Sequence, residues 1–238
     1  AELHVDSVRK VFDDGNHNAF TDLCRFRDNL YLTFRTCPDG HGIFDTSAIV
    51  VLRSADGAEW SEVFRFDVAR RDTRDPHFLV FRDRLFVYTG TWLVDTPDGS
   101  RDMNNHLGYA VWTRDGAAWE GPRWLEGTYG HYVWRAAAYG GKAYLCGRRR
   151  REFLSAHVVK DGSKVIESAL LESEDAARIV QLMRLISVKN SASAVSNPVA
   201  AIGQFLAGRR LRLVRNRRQS SSISVVAKLE RCDDQTNA

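Results

Sequence analysis

Acidic and basic side chains stand at comparable points in three stretches of the sequence. Asp22 lies in the first stretch, Arg74 and Asp75 in the second, and Arg135 in the third. Two carboxyl groups that flank a glycosidic bond can supply the acid and the base or nucleophile of its hydrolysis. Guanidinium groups bind carboxylates through paired hydrogen bonds. Asp22 and Asp75 are therefore candidate catalytic residues, and the arginines are candidate ligands of a carboxylate.

Each of these stretches lies just before a predicted strand–turn–strand hairpin. Alternating apolar residues flank a two-residue turn in the segments Phe26–Phe34, Phe81–Tyr88 and Tyr139–Cys146. The predicted turns are Asp28-Asn29, Asp83-Arg84 and Gly141-Lys142, which lie 55 and then 58 residues apart. Because the blades of a repeat protein place corresponding residues at corresponding points, we expect the three polar stretches to converge on one opening.

A second repeated signature follows the first two hairpins. It occurs as Ser54-Ala-Asp56-Gly57-Ala-Glu-Trp60 and as Thr113-Arg-Asp115-Gly116-Ala-Ala-Trp119. In such a turn Asp accepts backbone N–H bonds, Gly supplies a positive φ, and Trp packs between neighbouring strands. A third copy begins at Ser173 but has Ala176 in place of Gly and Ile179 in place of Trp. Two unrelated Asp-Gly hairpins are the alternative, and either interpretation makes these residues structural.

Repeats of this length that hold four short strands are typical of propeller blades. We therefore predict an all-β fold in which residues 1–175 form a partial β-propeller of about three four-stranded blades. Residues 176–238 form a basic, aromatic-poor tail, irregular or helical, with helices predicted over Ala176–Lys189 and Pro198–Val214.

The turn signature resembles the Asp-box of sialidases and related propellers. The wider layout, over about residues 17–175, is similar to that of bacterial sialidase-like proteins in the stretches His17–Leu23, Asp72–Pro76 and Tyr132–Arg135. Sialidases bind the substrate carboxylate with three arginines, so the resemblance implies that Arg35, Arg74 and Arg135 are substrate-binding residues. The same resemblance implies that the substrate is a glycan and that the protein is exported, either secreted or to the periplasm.

A second resemblance leaves an alternative open. Five-bladed furanosidases resemble this sequence in having an Asp in the first blade, as at Asp22, and an Arg-Asp-Pro in the second, as at Arg74-Asp75-Pro76. This resemblance implies a Glu in the third blade, at the place where this sequence carries Arg135. A structural turn, in which the carboxylate binds the local backbone, is the alternative to catalysis by Asp75.

His131 and Tyr132 precede the third hairpin and are candidate sugar-binding residues. A structural hydrogen bond is the alternative role for His131. The four cysteines form no C-x-x-C pair and the histidines are dispersed, so neither a metal site nor a cofactor is predicted.

Composition limits the classes of partner. The chain has 238 residues, of which 44% are hydrophobic and 27% charged, which is typical of a soluble globular protein. The sequence holds no run of 18 apolar residues, so no membrane span is predicted. Residues 176–238 hold 11 Lys and Arg against 3 Asp and Glu, which leaves 23 basic and 27 acidic side chains in the rest. The main body is therefore mildly acidic, and nucleic acid is not its expected partner.

Three interpretations of the tail stay open. Its Arg-rich segment, Arg209–Arg218, has the composition of a nucleic-acid or anionic-membrane ligand, or it belongs to a disordered extension. The third interpretation is a frameshifted or recombined terminus, because the repeat pattern stops where the tail begins. Three blades do not close a ring, so we expect a partial propeller. The resemblance implies that it is a sialidase-like glycoside hydrolase, or the truncated remnant of one, that acts on glycans. The alternative is a non-catalytic propeller that binds carbohydrate or protein.

Overall fold

The computed structural model describes residues 7–95, 105–150, 166–176 and 181–183. Within these ranges the chain forms strands and connecting turns. The strands are β1 (His17–Phe26), β2 (Asn29–Cys37), β3 (Ala48–Ser54), β4 (Ser61–Phe66), β5 (Arg71–Phe81), β6 (Arg84–Leu93), β7 (Leu107–Thr113), β8 (Trp119–Trp124), β9 (His131–Tyr139), β10 (Lys142–Arg150), β11 (Ile166–Ser173) and β12 (Gln181–Met183).

The strands form three antiparallel sheets of four strands each. Consecutive strands are neighbours throughout, so that β1 to β4, β5 to β8 and β9 to β12 are three meanders. The first strands of the sheets contact one another in series, β1 with β5 and β5 with β9. The predicted all-β fold of four-stranded repeats is thus confirmed, whereas their arrangement as a partial β-propeller stays a prediction.

The second sheet has a hydrophobic layer on each face. Successive side chains of a strand point to opposite faces, and in β6 Leu85 and Val87 pack towards the first sheet, against Ile49 and Tyr31. The alternate residue Phe86 belongs to the cluster shared with the third sheet. This double coverage explains why β6 reads as a continuous apolar run.

The hairpin turns lie one residue earlier than predicted. They are Arg27-Asp28, Arg82-Asp83 and Gly140-Gly141, because β2, β6 and β10 begin at Asn29, Arg84 and Lys142. The first residue of each turn has a positive φ, 53° at Arg27, 54° at Arg82 and 56° at Gly140. Each of the two arginines lies over the ring of the phenylalanine before it, a cation–π contact that favours this unusual backbone.

The two Ser/Thr-x-Asp-Gly turns form as predicted, and a third turn forms at Ser173, where the sequence departs from the signature. In the first, the Gly57 N–H donates to Ser54 Oγ at 2.8 Å. In the third, the Ala176 N–H donates to Ser173 Oγ at 3.0 Å, and Ala176 has a φ of 64°. An alanine therefore takes the place of the glycine without loss of the turn.

The structure corrects the prediction for the start of the tail. Gln181–Met183 is the strand β12, which pairs with β11 through Leu170 and Met183, so a helix over Ala176–Lys189 is wrong at these residues. A short apolar run fits helical and strand spacing equally. The helix predicted at Pro198–Val214 and the Arg-rich segment lie outside the described residues. In the part of the chain that is described, no helix is long and apolar enough to cross a membrane.

Candidate functional site

Three polar side chains occupy the same position of the three sheets. Asp22, His77 and Arg135 each lie four residues before the end of the first strand of their sheet, and they pair with equivalent residues of β2, β6 and β10. Since these first strands are adjacent, the three side chains meet. Arg135 Nη1 hydrogen-bonds His77 Nδ1 and lies 3.9 Å from Asp22 Oδ2.

The first strands are irregular at this point. The register of β1 shifts between Ala19 and Asp22, and that of β5 shifts between Arg74 and His77. Within these bulges Phe20 and Asp75 adopt positive φ angles of 62° and 52°. A bulge redirects side chains, and a left-handed conformation at a residue other than glycine is typical of functional sites.

The Asp22 carboxylate is fixed by backbone donors. Its Oδ1 accepts the N–H of Leu23 at 3.1 Å and its Oδ2 accepts that of Phe78 at 2.9 Å. Burial raises the pKa of Asp22, while the Phe78 N–H, the Arg135 guanidinium and the Leu23 N–H act in the opposite direction. The side chain is 27% exposed, so a ligand can reach it.

The Asp75 carboxyl group has a different environment. Its Oδ2 accepts a hydrogen bond from the Tyr132 hydroxyl, which comes from the third sheet. Burial raises the pKa of Asp75, and the Tyr132 hydroxyl together with the cations of Arg74, Arg148 and Arg135 offsets part of that rise. The positive charge of Arg135 therefore acts on both carboxyl groups, at 3.9 Å from Asp22 Oδ2 and through a weaker electrostatic effect on Asp75.

Arg35 and Arg74 share one carboxylate. Arg35 donates to Asp72 Oδ1 from Nε at 3.1 Å and from Nη2 at 2.9 Å, and both side chains are fully buried. Arg74 donates from Nε to Asp72 Oδ2 and from Nη2 to the Gly42 carbonyl at 2.6 Å. The predicted contact of Arg35 with substrate stays a prediction, and its geometry is that of a residue that anchors Asp72 and, through it, Arg74.

An aromatic wall borders the Asp75 side of the site. The Tyr132 ring lies 4.9 Å from the ring of His106, which meets Trp92 edge-on at 4.1 Å. The guanidinium of Arg148 lies over the rings of both Tyr132 and Trp134, at 5.2 and 4.8 Å from their centroids. Tyr132 and His106 are buried, whereas Trp92, Trp134 and Arg148 are partly exposed, so only these last three can meet a ligand.

His131 lies at the start of β9, away from these contacts. Its Nδ1 hydrogen-bonds the Tyr129 carbonyl at 3.0 Å, and the residue is buried. Its predicted role in sugar binding stays a prediction beside this backbone contact.

The sequence analysis missed His77, Asp72 and Arg148 as members of the site. His77 was detectable, because it precedes its turn by the same number of residues as Asp22 and Arg135 do. Asp72 was hidden because its partner Arg35 is on another sheet. Arg148 lies on β10, after the third hairpin turn, and no sequence pattern linked it to the other residues.

No protein-family model matches the chain, and no curated protein matches it. Solved structures are similar to it at low identity. A GH43_1 enzyme from Xanthomonas citri, complexed with xylotriose, is 14% identical over 72% of this chain and 56% of that one, with a TM-score of 0.49. A family 117 glycoside hydrolase from Zobellia galactanivorans is 14% identical over 71% and 57%, with a TM-score of 0.49.

An α-L-arabinanase from Penicillium chrysogenum, complexed with arabinobiose, is 16% identical over 68% of this chain and 46% of that one, with a TM-score of 0.47. The chain spans about half the length of these three proteins. None of the three is named as a sialidase.

Proposed function

We propose that Asp22 and Asp75 hydrolyse a glycosidic bond, and that the chain is the part of a sialidase-like propeller hydrolase that carries this pair. The observation that supports the proposal is that neighbouring first strands supply two partly buried carboxyl groups and that the charge of Arg135 acts on both; its Nη1 lies 3.9 Å from Asp22 Oδ2. Glycoside hydrolysis needs two such groups in different protonation states.

The two environments suggest which group does what. Asp22 receives two backbone N–H bonds and faces Arg135, all of which favour its charged form. We assign it the role of base or nucleophile. Asp75 accepts the Tyr132 hydroxyl at Oδ2, and its Oδ1 makes no hydrogen bond within the described residues. Burial raises the pKa of both carboxyl groups, so the roles are divided by geometry, and we assign Asp75 the role of proton donor because its Oδ1 can carry the proton.

The surplus of cations favours an acidic sugar. The Arg135 side chain is 44% exposed, and only its Nη1 is engaged, with His77 and Asp22, among the described residues. Arg148 donates no hydrogen bond in the described part of the chain and lies over two rings. Both guanidinium groups therefore have donors for the carboxylate of a sialic-acid-like sugar.

The test is hydrolysis of fluorogenic glycosides by the 238-residue chain. We expect turnover of a sialoside, and a loss of about 100-fold or more in kcat/KM for Asp22→Asn and for Asp75→Asn. The matched control is Asp28→Asn in the exposed β1–β2 turn, which should leave kcat/KM unchanged. Activity that survives in D22N would remove Asp22 from the mechanism.

Neutral substrates separate the two parts of the proposal. An arabinofuranoside and a xyloside are assayed beside the sialoside. Cleavage of the neutral furanoside without cleavage of the sialoside would contradict the proposed specificity for an acidic sugar. The roles of Asp22 and Asp75 would then be tested by assaying D22N and D75N on the furanoside.

A second candidate function is binding of a glycan without turnover. The observation that favours it is that the third sheet contributes the cation of Arg135 at the position where the first contributes the carboxylate of Asp22. A glycan array that shows retention of acidic glycans, with no hydrolysis of any of the three fluorogenic substrates, would support this function over catalysis.

A further inference from the structure

We propose that His77 is a positioning residue of this site, whose neutral ring accepts a hydrogen bond from Arg135 and holds that guanidinium against the Asp22 carboxylate. The inference deepens the proposed function and rests on it, since it names what orients the charged partner of the proposed base.

The three groups form a compact triangle. Arg135 Nη1 hydrogen-bonds His77 Nδ1, and the same Nη1 lies 3.9 Å from Asp22 Oδ2. His77 Nδ1 lies 4.0 Å from that oxygen. The next residue, Phe78, donates its N–H to Asp22 Oδ2 at 2.9 Å. Two adjacent residues of β5 therefore hold the ion pair: Phe78 bonds the Asp22 carboxylate and His77 bonds the Arg135 guanidinium.

The chemistry of the pair requires a neutral histidine. A guanidinium is only a donor, so Nδ1 must present its lone pair and the ring proton must be on Nε2. Burial, together with the positive charge of Arg135, lowers the pKa of His77 to about 2. The His77 ring is consequently neutral near pH 7, and it serves as a hydrogen-bond acceptor rather than as an acid or base.

Arg135 needs such an anchor. Its side chain is 44% exposed, while that of His77 is 8% exposed. An exposed arginine has several rotamers, and ordering it costs conformational entropy. A hydrogen bond to a rigid, buried ring selects the rotamer that places the charge beside Asp22.

Few other titratable or charged groups face Asp22. Cys24, on the same strand, is a neutral thiol whose pKa is raised by burial and by the Asp22 charge. Within the described residues, Arg135 and His77 are the only basic side chains at ion-pair distance from the Asp22 carboxylate. A change in the position of Arg135 must therefore appear in the pKa of Asp22.

The experiment measures that pKa without substrate, by ¹³C NMR titration of the Asp22 carboxyl carbon, assigned from the spectrum of D22N. His77→Phe keeps a ring and removes the acceptor, and His77→Asn keeps an acceptor near the Nδ1 position. We expect H77F to raise the pKa of Asp22 by about 1 unit, as loss of a nearby cation does, and H77N to leave it unchanged. Arg135→Met should raise it as much as H77F does.

The double variant H77F/R135M decides whether the two residues act together. We expect its Asp22 pKa to equal that of R135M alone, because His77 acts through the guanidinium. An unchanged pKa in H77F, or a further rise in the double variant, would overturn the proposal. If H77F does not fold, His77→Gln, whose amide reaches towards the Nε2 position instead, replaces it with the same expected rise. Absence of hydrolysis would contradict the proposed function and would not alter these titrations.

Discussion

The substitution Asp72→Asn tests the buried charge network beneath the site. Asp72 is fully buried and accepts two hydrogen bonds from Arg35 and one from Arg74. An asparagine at this place keeps one oxygen, but its amide nitrogen is a donor and faces the donors of one arginine. The guanidinium of Arg35, with no solvent exposure of its own, loses its counter-charge.

The expected cost follows from that burial. Removal of one partner of a buried ion pair leaves an uncompensated charge and costs about 3–5 kcal/mol. Arg35 also donates to the carbonyls of Gly40 and Gly42, at 3.0 and 2.9 Å, so part of its hydrogen bonding survives. These two bonds satisfy donors without neutralising charge, and the cost should therefore stay within that range.

The chain offers a matched control in an exposed pair of the same kind. Glu62 accepts two hydrogen bonds from Arg65, both at 2.9 Å, but the two side chains are 37% and 40% exposed. For such pairs the contribution is about 0–1 kcal/mol. Glu62→Gln should change the free energy of unfolding little, although Arg65, like Arg35, donates from both Nε and Nη2 to its carboxylate partner.

Urea unfolding of the full chain measures both variants, with the m-value as a check that the transition stays the same. We expect D72N to lower the free energy of unfolding by at least 2 kcal/mol more than E62Q does. Equal losses in the two variants would refute the argument that burial, rather than geometry, makes the Asp72 network important.

Two further outcomes are expected of the same unfolding measurements. Gly116 and Gly57 have φ angles of 79° and 78°, so an alanine at either position should lower the free energy of unfolding by about 1–2 kcal/mol. G116A should be the more costly, because its Cβ would lie 2.0 Å from the hydroxyl oxygen of the buried Tyr31, whereas a Cβ at Gly57 would lie 3.2 Å from Leu30. Equal losses of stability in the two variants would contradict this reasoning. Burial and nearby arginines lower the pKa of His106 to about 3, so its contribution to stability should fall as the pH drops from about 6.5 to about 3, by about 1.4 kcal/mol per pH unit. His77, whose pKa is also lowered, adds a slope of its own. His106→Phe should therefore remove one proton from the total slope, and an unchanged slope would show that His106 does not contribute to it.

The fold was predictable because its information is local. Alternating apolar residues and a recurring turn signature specify strand, turn and repeat length within each segment. The turns were placed one residue late because Asp-Asn and Asp-Arg are common turn pairs, whereas a left-handed arginine, as at Arg27, is rare. The contact of that arginine with the ring of Phe26 is a side-chain feature that turn statistics omit.

The third repeat shows a different limit. Its sequence departs from the turn signature at Ala176, yet Ser173 accepts the same backbone bond and Ala176 takes the left-handed conformation. The Ala176 carbonyl also accepts the hydroxyl of Tyr88 from the second sheet. Contacts between sheets can thus hold a turn whose local sequence no longer favours it, and a search for the signature alone stops one strand too early.

The bulges decide which side chains share the site. By residue type, Asp22 and Asp75 look like equivalents in two repeats. The strand registers show instead that His77 has the position in β5 that Asp22 has in β1, and that Asp75 lies in the bulge at the position of Phe20. The two carboxyl groups consequently approach from different backbone conformations, one held by peptide N–H groups and the other by the Tyr132 hydroxyl. Both first strands carry the bulge at the same place, and the two carboxyl groups differ because Asp75 lies within it whereas Asp22 follows it. Unequal environments are the condition under which one carboxyl group can give up a proton while the other holds it.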